Sequence, residues 1–303
     1  MLFGAITAAC PDAGVPFGNA SGLYCVAFSA AAKSSTSFLL NNLPPTDLPN
    51  RETLFGVVGG VDGLEDGVAS VGVNLSLAAK ATYPWAAAVP QDIFDEYVAS
   101  YAFLNEPRTN WRPFFEAVVP PLVENLATAE DAIAMVNGYV NSSVSVWKSL
   151  GVSLKSSQTP LIFDPLSTAA YGYASCTGIS AMFVAALRSI AIPARVVGTP
   201  AWRGDAENGN HNWVEIWNAT TGAWDFIEGR PSGGGETLTN PCDKWFCNPS
   251  KFPTTPNNAT PVFAARFDRH TNLSVYELAW DPTNLDVPGE NRSDYYMQAC
   301  SAC

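Results

Sequence analysis

One cysteine and one histidine have the setting of a nucleophile and its base. Cys176 lies in the run Ser-Cys-Thr-Gly at 175–178, where a helix-like segment begins, and His211 stands at the head of a later strand-like segment. At a helix start, unpaired backbone N–H groups and the helix dipole stabilise a thiolate and can bind an oxyanion. A neighbouring imidazole can take and return the proton. The pair therefore predicts nucleophilic cysteine chemistry on an acyl group.

The segment after Cys176 has the pattern of an amphipathic helix. Its apolar residues recur at helical spacing at Ile179, Met182, Phe183, Ala186, Leu187 and Ile190. Pro193 prevents further helix, so the spacing predicts a helix over 177–191 with Ser175 as its N-cap. A buried structural cysteine is the alternative, because most free thiols are buried. Cys176 lies off the apolar stripe, which favours the nucleophile.

Three strand-like segments follow the predicted helix, at 195–199, 211–217 and 224–228. The second alternates strictly, and the turn residues at 218–222 join it to the third as a hairpin. A histidine in a strand more often has a structural role than a catalytic one. Only one other histidine exists, His270, and it has no comparable setting.

Two acids on the hairpin could orient the imidazole. If the turn centres near Thr220 or Thr221, position 228 lies opposite 213, and position 225 lies opposite 216, roughly 16 Å along the strand from His211. A carboxylate must contact the imidazole Nδ1–H to fix its tautomer. Glu228 is therefore the predicted third member, and Asp225 is the alternative if a bulge shifts the register.

Four motifs between 175 and 228 form a set. They are the Cys-x-Gly helix start, the run Arg-Ser-Ile-Ala-Ile-Pro-Ala-Arg-Val-Val-Gly at 188–198, His-x-Trp-x-Glu at 211–215, and an acid four residues past the hairpin tryptophan. This set resembles the core of the transglutaminase-like superfamily of papain-like cysteine acyltransferases and hydrolases. The resemblance implies that Cys176 is the nucleophile, His211 the general base and acid, and Glu228 the orienting group. The family usually has Asp where this chain has Glu228.

Weaker similarity extends over most of 36–296. It rests on the segments 38–49, 104–112, 245–246 and 261–266, which resemble a secreted bacterial-type branch of the family. With the core motifs, it predicts an α+β fold in which the nucleophile-bearing helix packs on an antiparallel sheet, preceded by an N-terminal helical region. Apolar spacing also predicts helices over 91–103, 111–126 and 130–150.

Composition shifts divide the chain into three predicted parts. Residues 1–88 form an irregular and helical extension, 89–235 the catalytic core, and 236–303 a strand-rich, disulfide-bearing extension. One compact domain is the alternative, because about 300 residues can share a single core.

The cysteine count indicates an oxidising compartment. Setting Cys176 aside leaves an even number of cysteines near the two ends of the chain: Cys10, Cys25, Cys242, Cys247, Cys300 and Cys303. This pattern predicts a disulfide framework with one free thiol. Cys10 and Cys25 share one short segment and are the expected pair, whereas the other four allow three pairings.

Glycosylation sequons point the same way. They occur at Asn19, Asn74, Asn141, Asn218, Asn258, Asn272 and Asn291, where composition alone would give about three by chance. The apolar start at 1–9 lacks a basic segment, so we expect any signal peptide to be truncated or already removed. The sequence predicts a secreted glycoprotein, outside the cell or in the lumen of the secretory pathway.

Charge excludes one class of partner. The net charge of −12 and the absence of a basic stripe argue against nucleic-acid binding. No apolar run has the length of a membrane span, and two histidines with oxidised cysteines cannot build a metal site, so we expect no membrane insertion, metal or cofactor. The expected partner is a protein or peptide with a reactive amide; the oligomeric state stays open. Aromatic residues near the reactive segments are candidates for the cleft wall: Tyr171, Tyr173, Trp202 and Trp213.

These features predict acyl transfer or amide hydrolysis through a thioester on Cys176. Whether a second amine or water resolves the thioester depends on how well the cleft excludes water. Two alternatives remain on the same fold. One is a peptide N-glycanase-like amidase, and the other is a catalytically silent binding or structural glycoprotein, which the change from Asp to Glu228 makes plausible.

Overall fold

The computed structural model describes residues 20–55, 67–139, 143–158, 163–233, 240–271 and 274–303. The side chains of 20–29 and of Pro256 fall outside this description. The expected bridge between Cys10 and Cys25 and the sequons at Asn19, Asn141 and Asn272 therefore lie outside the described residues.

The first described part is helical, as the sequence predicts. Its helices are α1 (Ala20–Asn41), α2 (Arg51–Phe55), α3 (Val68–Thr82) and α4 (Gln91–Phe94), and a π-helical turn (Asp95–Ala99) continues α4. Leu39, Phe55, Val73 and Phe94 form the centre of a buried apolar cluster between them. Burial of such side chains stabilises each by about 1.5–3 kcal/mol relative to exposure.

A second group of helices leads to the nucleophile. It consists of α5 (Arg112–Val118), α6 (Pro120–Val123), α7 (Ala129–Asn137), α8 (Val146–Leu150), α9 (Pro165–Tyr171) and α10 (Cys176–Ser189). The prediction of one helix over 130–150 is wrong. Gly138 has a left-handed φ of 82° and ends α7, and the Ser145 side chain accepts a hydrogen bond from the backbone N–H of Lys148 to start α8.

Six strands form one antiparallel sheet. The strands of the structure are β1 (Ser153–Leu154), β2 (Tyr173–Ala174), β3 (Ala194–Thr199), β4 (His211–Asn218), β5 (Ala223–Ile227), β6 (Phe263–Ala265), β7 (Ser274–Val275) and β8 (Pro288–Asn291). The sheet order is β5-β4-β3-β6-β8-β7, and β1 and β2 form a separate parallel pair. The predicted α+β fold with an antiparallel sheet is confirmed.

Helix α10 packs on one face of β3 and β4. Ile179, Phe183, Val196 and Val214 are buried in the same apolar cluster, which joins the helix to the sheet. On the opposite face, Trp213 packs with aromatic side chains of the C-terminal segment. Because β4 is covered on both faces, the helix start and the strand start are held in fixed relative positions.

Two disulfides cross-link the C-terminal segment internally. Cys242 bonds Cys303, and Cys247 bonds Cys300, which lies in helix α11 (Ser293–Ser301). The sequence left three pairings open among these four cysteines, and the structure selects this one. The predicted division at 88 and 235 stays a prediction.

Candidate functional site

The hairpin of β4 and β5 has the predicted register. Ile216 lies opposite Asp225, and Val214 lies opposite Ile227. No bulge interrupts the pairs between 214–218 and 223–227. Glu228, the next residue after β5, is therefore carried to the start of β4, whereas Asp225 is carried toward its end.

The carboxylate of Glu228 contacts the ring of His211. Glu228 is fully buried, and its Oε1 lies in direct contact with His211 Nε2. Its Oε2 accepts a hydrogen bond of 2.6 Å from Trp245 Nε1, and its backbone carbonyl accepts one of 2.9 Å from Asn137 Nδ2. The expected contact at the imidazole Nδ1 is wrong, because the carboxylate contacts Nε2 instead.

Asp225 lies elsewhere. Its Oδ2 accepts a hydrogen bond of 2.9 Å from Asn218 Nδ2 at the turn end of the hairpin. The side-chain Oδ1 of Asn218 in turn accepts hydrogen bonds from the backbone N–H groups of Thr220 and Thr221. Asp225 thus stabilises the turn and does not meet the imidazole.

Cys176 is a free, half-buried thiol on the first residue of α10. Ser175 occupies the predicted N-cap position, but its side chain makes no capping hydrogen bond. Burial raises the pKa of the Cys176 thiol; the hydrogen bond and positive charge of His211 and the backbone N–H groups of Asn212 and Thr177 outweigh this, so that the pKa is lowered overall.

The imidazole is shifted in the opposite direction. Burial lowers the pKa of His211, but its hydrogen bonds to Cys176 and Glu228 and the charges of both raise it to about 9. Burial also raises the pKa of the Glu228 carboxyl, an effect that His211 and Trp245 offset in part. A thiol with a lowered pKa beside an imidazole with a raised pKa favours a thiolate–imidazolium pair.

A buried polar network joins the residues that follow the two reactive residues in the chain. The Tyr276 hydroxyl donates a hydrogen bond of 2.5 Å to Asn212 Oδ1, and Asn212 Nδ2 donates one of 2.7 Å to Thr177 Oγ1. Asn212 follows His211, and Thr177 follows Cys176. A Cβ on Gly198 would lie 2.1 Å from Asn212 Oδ1 and 2.5 Å from the Tyr276 hydroxyl, so glycine leaves the space for this network. The network fixes the spacing between helix and strand.

Tyr276→Phe is expected to lower kcat about tenfold with little change in KM. Losing the hydroxyl leaves the buried Asn212 Oδ1 without its donor, at a cost of about 1–3 kcal/mol, and lets the backbone N–H of Asn212 move away from the sulfur of Cys176. The midpoint of Cys176 alkylation should therefore rise in pH. Tyr295→Phe is the control, because the Tyr295 hydroxyl donates a hydrogen bond of 3.5 Å to the backbone carbonyl of Trp224 and is not part of this network. An unchanged midpoint in Tyr276→Phe would show that the network is structural only.

The structure separates the four candidate cleft aromatics into two pairs. Trp202 and Trp213 are buried, at 2% and 0% exposure, and stack with ring centroids 6.2 Å apart, so the expectation that they wall an open cleft is wrong. They pack beneath the His211 ring instead, at centroid distances of 6.3 and 6.1 Å. Tyr171 is 61% exposed, and Tyr173 in β2 precedes the nucleophile by three positions. Tyr171 and Tyr173 remain cleft candidates.

Sequence reasoning missed two residues of the site. The Trp245 indole N–H donates a hydrogen bond to Glu228, and its ring centroid lies 4.9 Å from that of His211. Tyr276 directly follows β7 and donates its hydroxyl hydrogen bond to Asn212 in the buried network. Both come from segments far from the motif set. For Trp245 the sequence held two weak signals: the residue belongs to the segment 245–246, which carries part of the weaker resemblance, and it lies between Cys242 and Cys247.

Three further features concern metal-binding clusters, membrane-spanning helices and the glycosylation sequons. In the part of the chain that the structure describes, no group of three or more His, Cys, Asp or Glu side chains could hold a metal ion. No helix within the described ranges is long and apolar enough to cross a membrane. Asn74, Asn258 and Asn291 are exposed, and Asn218 is half-buried.

One comparison with known proteins agrees with the motif set. Residues 116–227 match the transglutaminase-like superfamily, a range that contains Cys176 and His211 and ends one residue before Glu228. No curated protein matches the chain. A solved structure described as "a Putative Cysteine Protease from Cytophaga hutchinsonii" is similar with a TM-score of 0.32 and 12% identity, over 59% of this chain and 58% of that chain. The present chain thus spans less than two thirds of that protein. The match over 116–227 supports a cysteine-type enzyme whose matched region is similar to the core of the transglutaminase-like superfamily.

Proposed function

We propose that the protein is a thiol enzyme that cleaves amide bonds through a thioester on Cys176, with His211 as general acid and base and Glu228 as the orienting group. One observation carries this proposal: the imidazole of His211 lies between the free thiol and a buried carboxylate, in contact with both. This is the arrangement that nucleophilic cysteine catalysis requires.

The proposed reaction has two steps, formation of the thioester on Cys176 and its resolution by a second nucleophile. The Cys176 thiolate attacks the amide carbonyl carbon, and backbone N–H groups at the start of α10 face the oxyanion. Collapse of this intermediate breaks the C–N bond, and the leaving amine takes the proton of the His211 imidazolium. A second nucleophile then attacks the thioester while His211 accepts its proton, which restores the thiolate and the imidazolium.

Water is the proposed second nucleophile. The residue Cys176 as a whole is partly exposed at the start of α10, although its thiol is largely buried. Water at this position hydrolyses the thioester unless an amine displaces it. Hydrolysis of a glutamine side chain or a peptide bond is therefore the proposed main reaction, and transfer to an amine is the secondary one.

The glutamate in place of the family's usual aspartate does not weaken this proposal. The longer side chain of Glu228 still brings its Oε1 into contact with the ring of His211, while Trp245 fixes the second oxygen at 2.6 Å. The change from aspartate to Glu228 is therefore a weak argument for a catalytically silent protein.

We also propose an extracellular or secretory-lumen location. Two disulfides enclose the C-terminal segment, and three described sequons, at Asn74, Asn258 and Asn291, lie on exposed residues. Disulfides persist in oxidising compartments, and glycosylation needs accessible asparagines. Loss of apparent mass on deglycosylation of the protein from its native source would support this location; an unchanged mass would contradict glycosylation.

The test of the reaction is a peptide pool incubated in H₂¹⁸O with a labelled primary amine, followed by mass spectrometry. Hydrolysis places one ¹⁸O in the acyl product, and transfer places the amine there. Wild-type protein is expected to give mainly the ¹⁸O product and Cys176→Ala none. Equal products from both proteins, or none from either, would contradict the proposal.

A further inference from the structure

An open groove is lined in part by Arg230 and Pro231, which closely follow Glu228 in the chain. It encloses about 620 Å³ between α8, the strand β1 and the turn at 230–232. Trp147 and Pro231 supply apolar surface, Leu154 is exposed at the rim, and Lys148 and Arg230 supply charge.

The charge of this groove is opposite to that of the chain. The chain has 28 acidic and 16 basic residues, yet no Asp or Glu lines the groove, whereas Lys148 and Arg230 do. Lys148 is exposed. Arg230 is half-buried and is anchored by a hydrogen bond from Nη1 to the carbonyl of Gly138, which occupies one of its five N–H donors. A guanidinium presents its N–H donors in a fork that matches the two oxygens of a carboxylate.

The groove is continuous with the elements that carry the reactive groups. Leu154 pairs with Ala174, two residues before Cys176. Arg230 follows Glu228 by two residues. A Cβ on Gly229, between them, would meet Trp147 at 3.2 Å, so this wall of the groove packs directly against the residue after the orienting acid.

The strand β1 offers backbone groups to an extended ligand. The N–H groups of Ser153 and Lys155 donate to carbonyls of Gly172 and Ala174, on the β2 side. Alternation along a strand directs the N–H and C=O of Leu154 to the other side. An extended peptide can pair with such an edge, while its side chains contact the groove.

We propose that this groove binds the extended peptide segment next to the reactive amide and prefers Asp or Glu in that segment. The inference rests on the proposed function, because it assigns the substrate class of the same site. Backbone pairing at Leu154 selects a peptide, and Lys148 with Arg230 selects its negative charge. A small free anion would use the two cations but neither the strand edge nor the apolar surface.

The test measures binding to the Cys176→Ala protein, which does not depend on turnover. Two fluorescent peptides carry one glutamine and differ only in flanking Glu against flanking Gln. The acidic peptide is expected to bind about five- to tenfold more tightly in low salt, a preference that falls as salt screens the charges. Lys148→Glu should abolish or reverse the preference. Lys33→Glu, an exposed site on α1 with the same charge change, should leave it intact.

Three results of the binding test would overturn the groove assignment: equal affinity for both peptides, no binding of either peptide, or an equal effect of Lys33→Glu and Lys148→Glu. A preference that depends on Lys148 supports it. If that preference is present but the wild-type protein turns over neither peptide, the groove assignment stands and the proposed reaction fails.

Discussion

Replacing His211 with Ala is expected to lower kcat/KM by a factor of about 10⁴ or more. The substitution removes both the proton carrier and the cation that holds the Cys176 thiolate, and residues that act as a unit lose most of their effect together. Initial rates on the preferred peptide substrate measure the loss. A loss below about tenfold would show that His211 does not take part in the reaction.

The pH profile supplies the matching control. The active pair of thiolate and imidazolium forms above the lowered pKa of Cys176 and disappears as His211 loses its proton, so the wild-type kcat/KM should fall with a midpoint near the His211 pKa of about 9. In His211→Ala this basic limb should vanish, and the residual rate should rise with pH as the thiol ionises. A wild-type limb near pH 6.5, the ordinary range of histidine, would contradict the ion pair.

Glu228→Gln is expected to lower kcat/KM about 10³-fold. Glutamine preserves the shape of the side chain but removes the charge that favours the imidazolium, and its amide can present N–H rather than oxygen to Nε2 of His211. The basic limb of the pH profile should shift to lower pH, because the pKa of His211 loses a raising contribution.

Asp225→Asn is the control for that substitution. It makes the same change of charge on the same strand, but Asp225 bonds Asn218 at the hairpin turn. We expect a change in kcat/KM of less than about threefold. A larger loss in Asp225→Asn than in Glu228→Gln would contradict the assignment of the orienting acid.

The local parts of the site could be predicted from the sequence. Cys176 at a helix start and His211 at a strand start follow from apolar periodicity, a proline stop and turn residues, all of which act over short distances. The choice between Glu228 and Asp225 needed only the turn position, because strand pairing in a short hairpin propagates with a period of two. Which imidazole nitrogen the carboxylate contacts could not be predicted, since it depends on the direction from which the carboxylate approaches the ring.

The non-local parts could not be predicted. Trp245 and Tyr276 reach the site from segments that pair or bond with it only after folding, and no spacing rule connects them to the motif set. The apolar stripe over 130–150 continues past Gly138, so periodicity alone predicts one helix there. The left-handed backbone of Gly138 ends the first helix, and periodicity does not reveal this. Trp202 and Trp213 were misplaced because an aromatic residue near a reactive group in sequence can equally be core.

Alkylation of Cys176 by iodoacetamide as a function of pH tests the ionised thiol most directly. Peptide mapping by mass spectrometry after brief labelling gives the rate at this residue alone. An intact pair predicts rapid labelling at pH 6–7, well below the free-thiol pKa of about 8.5, and loss of that labelling in His211→Ala. A wild-type rate that follows an ordinary thiol up to pH 8.5, unaffected by His211→Ala, would contradict the account.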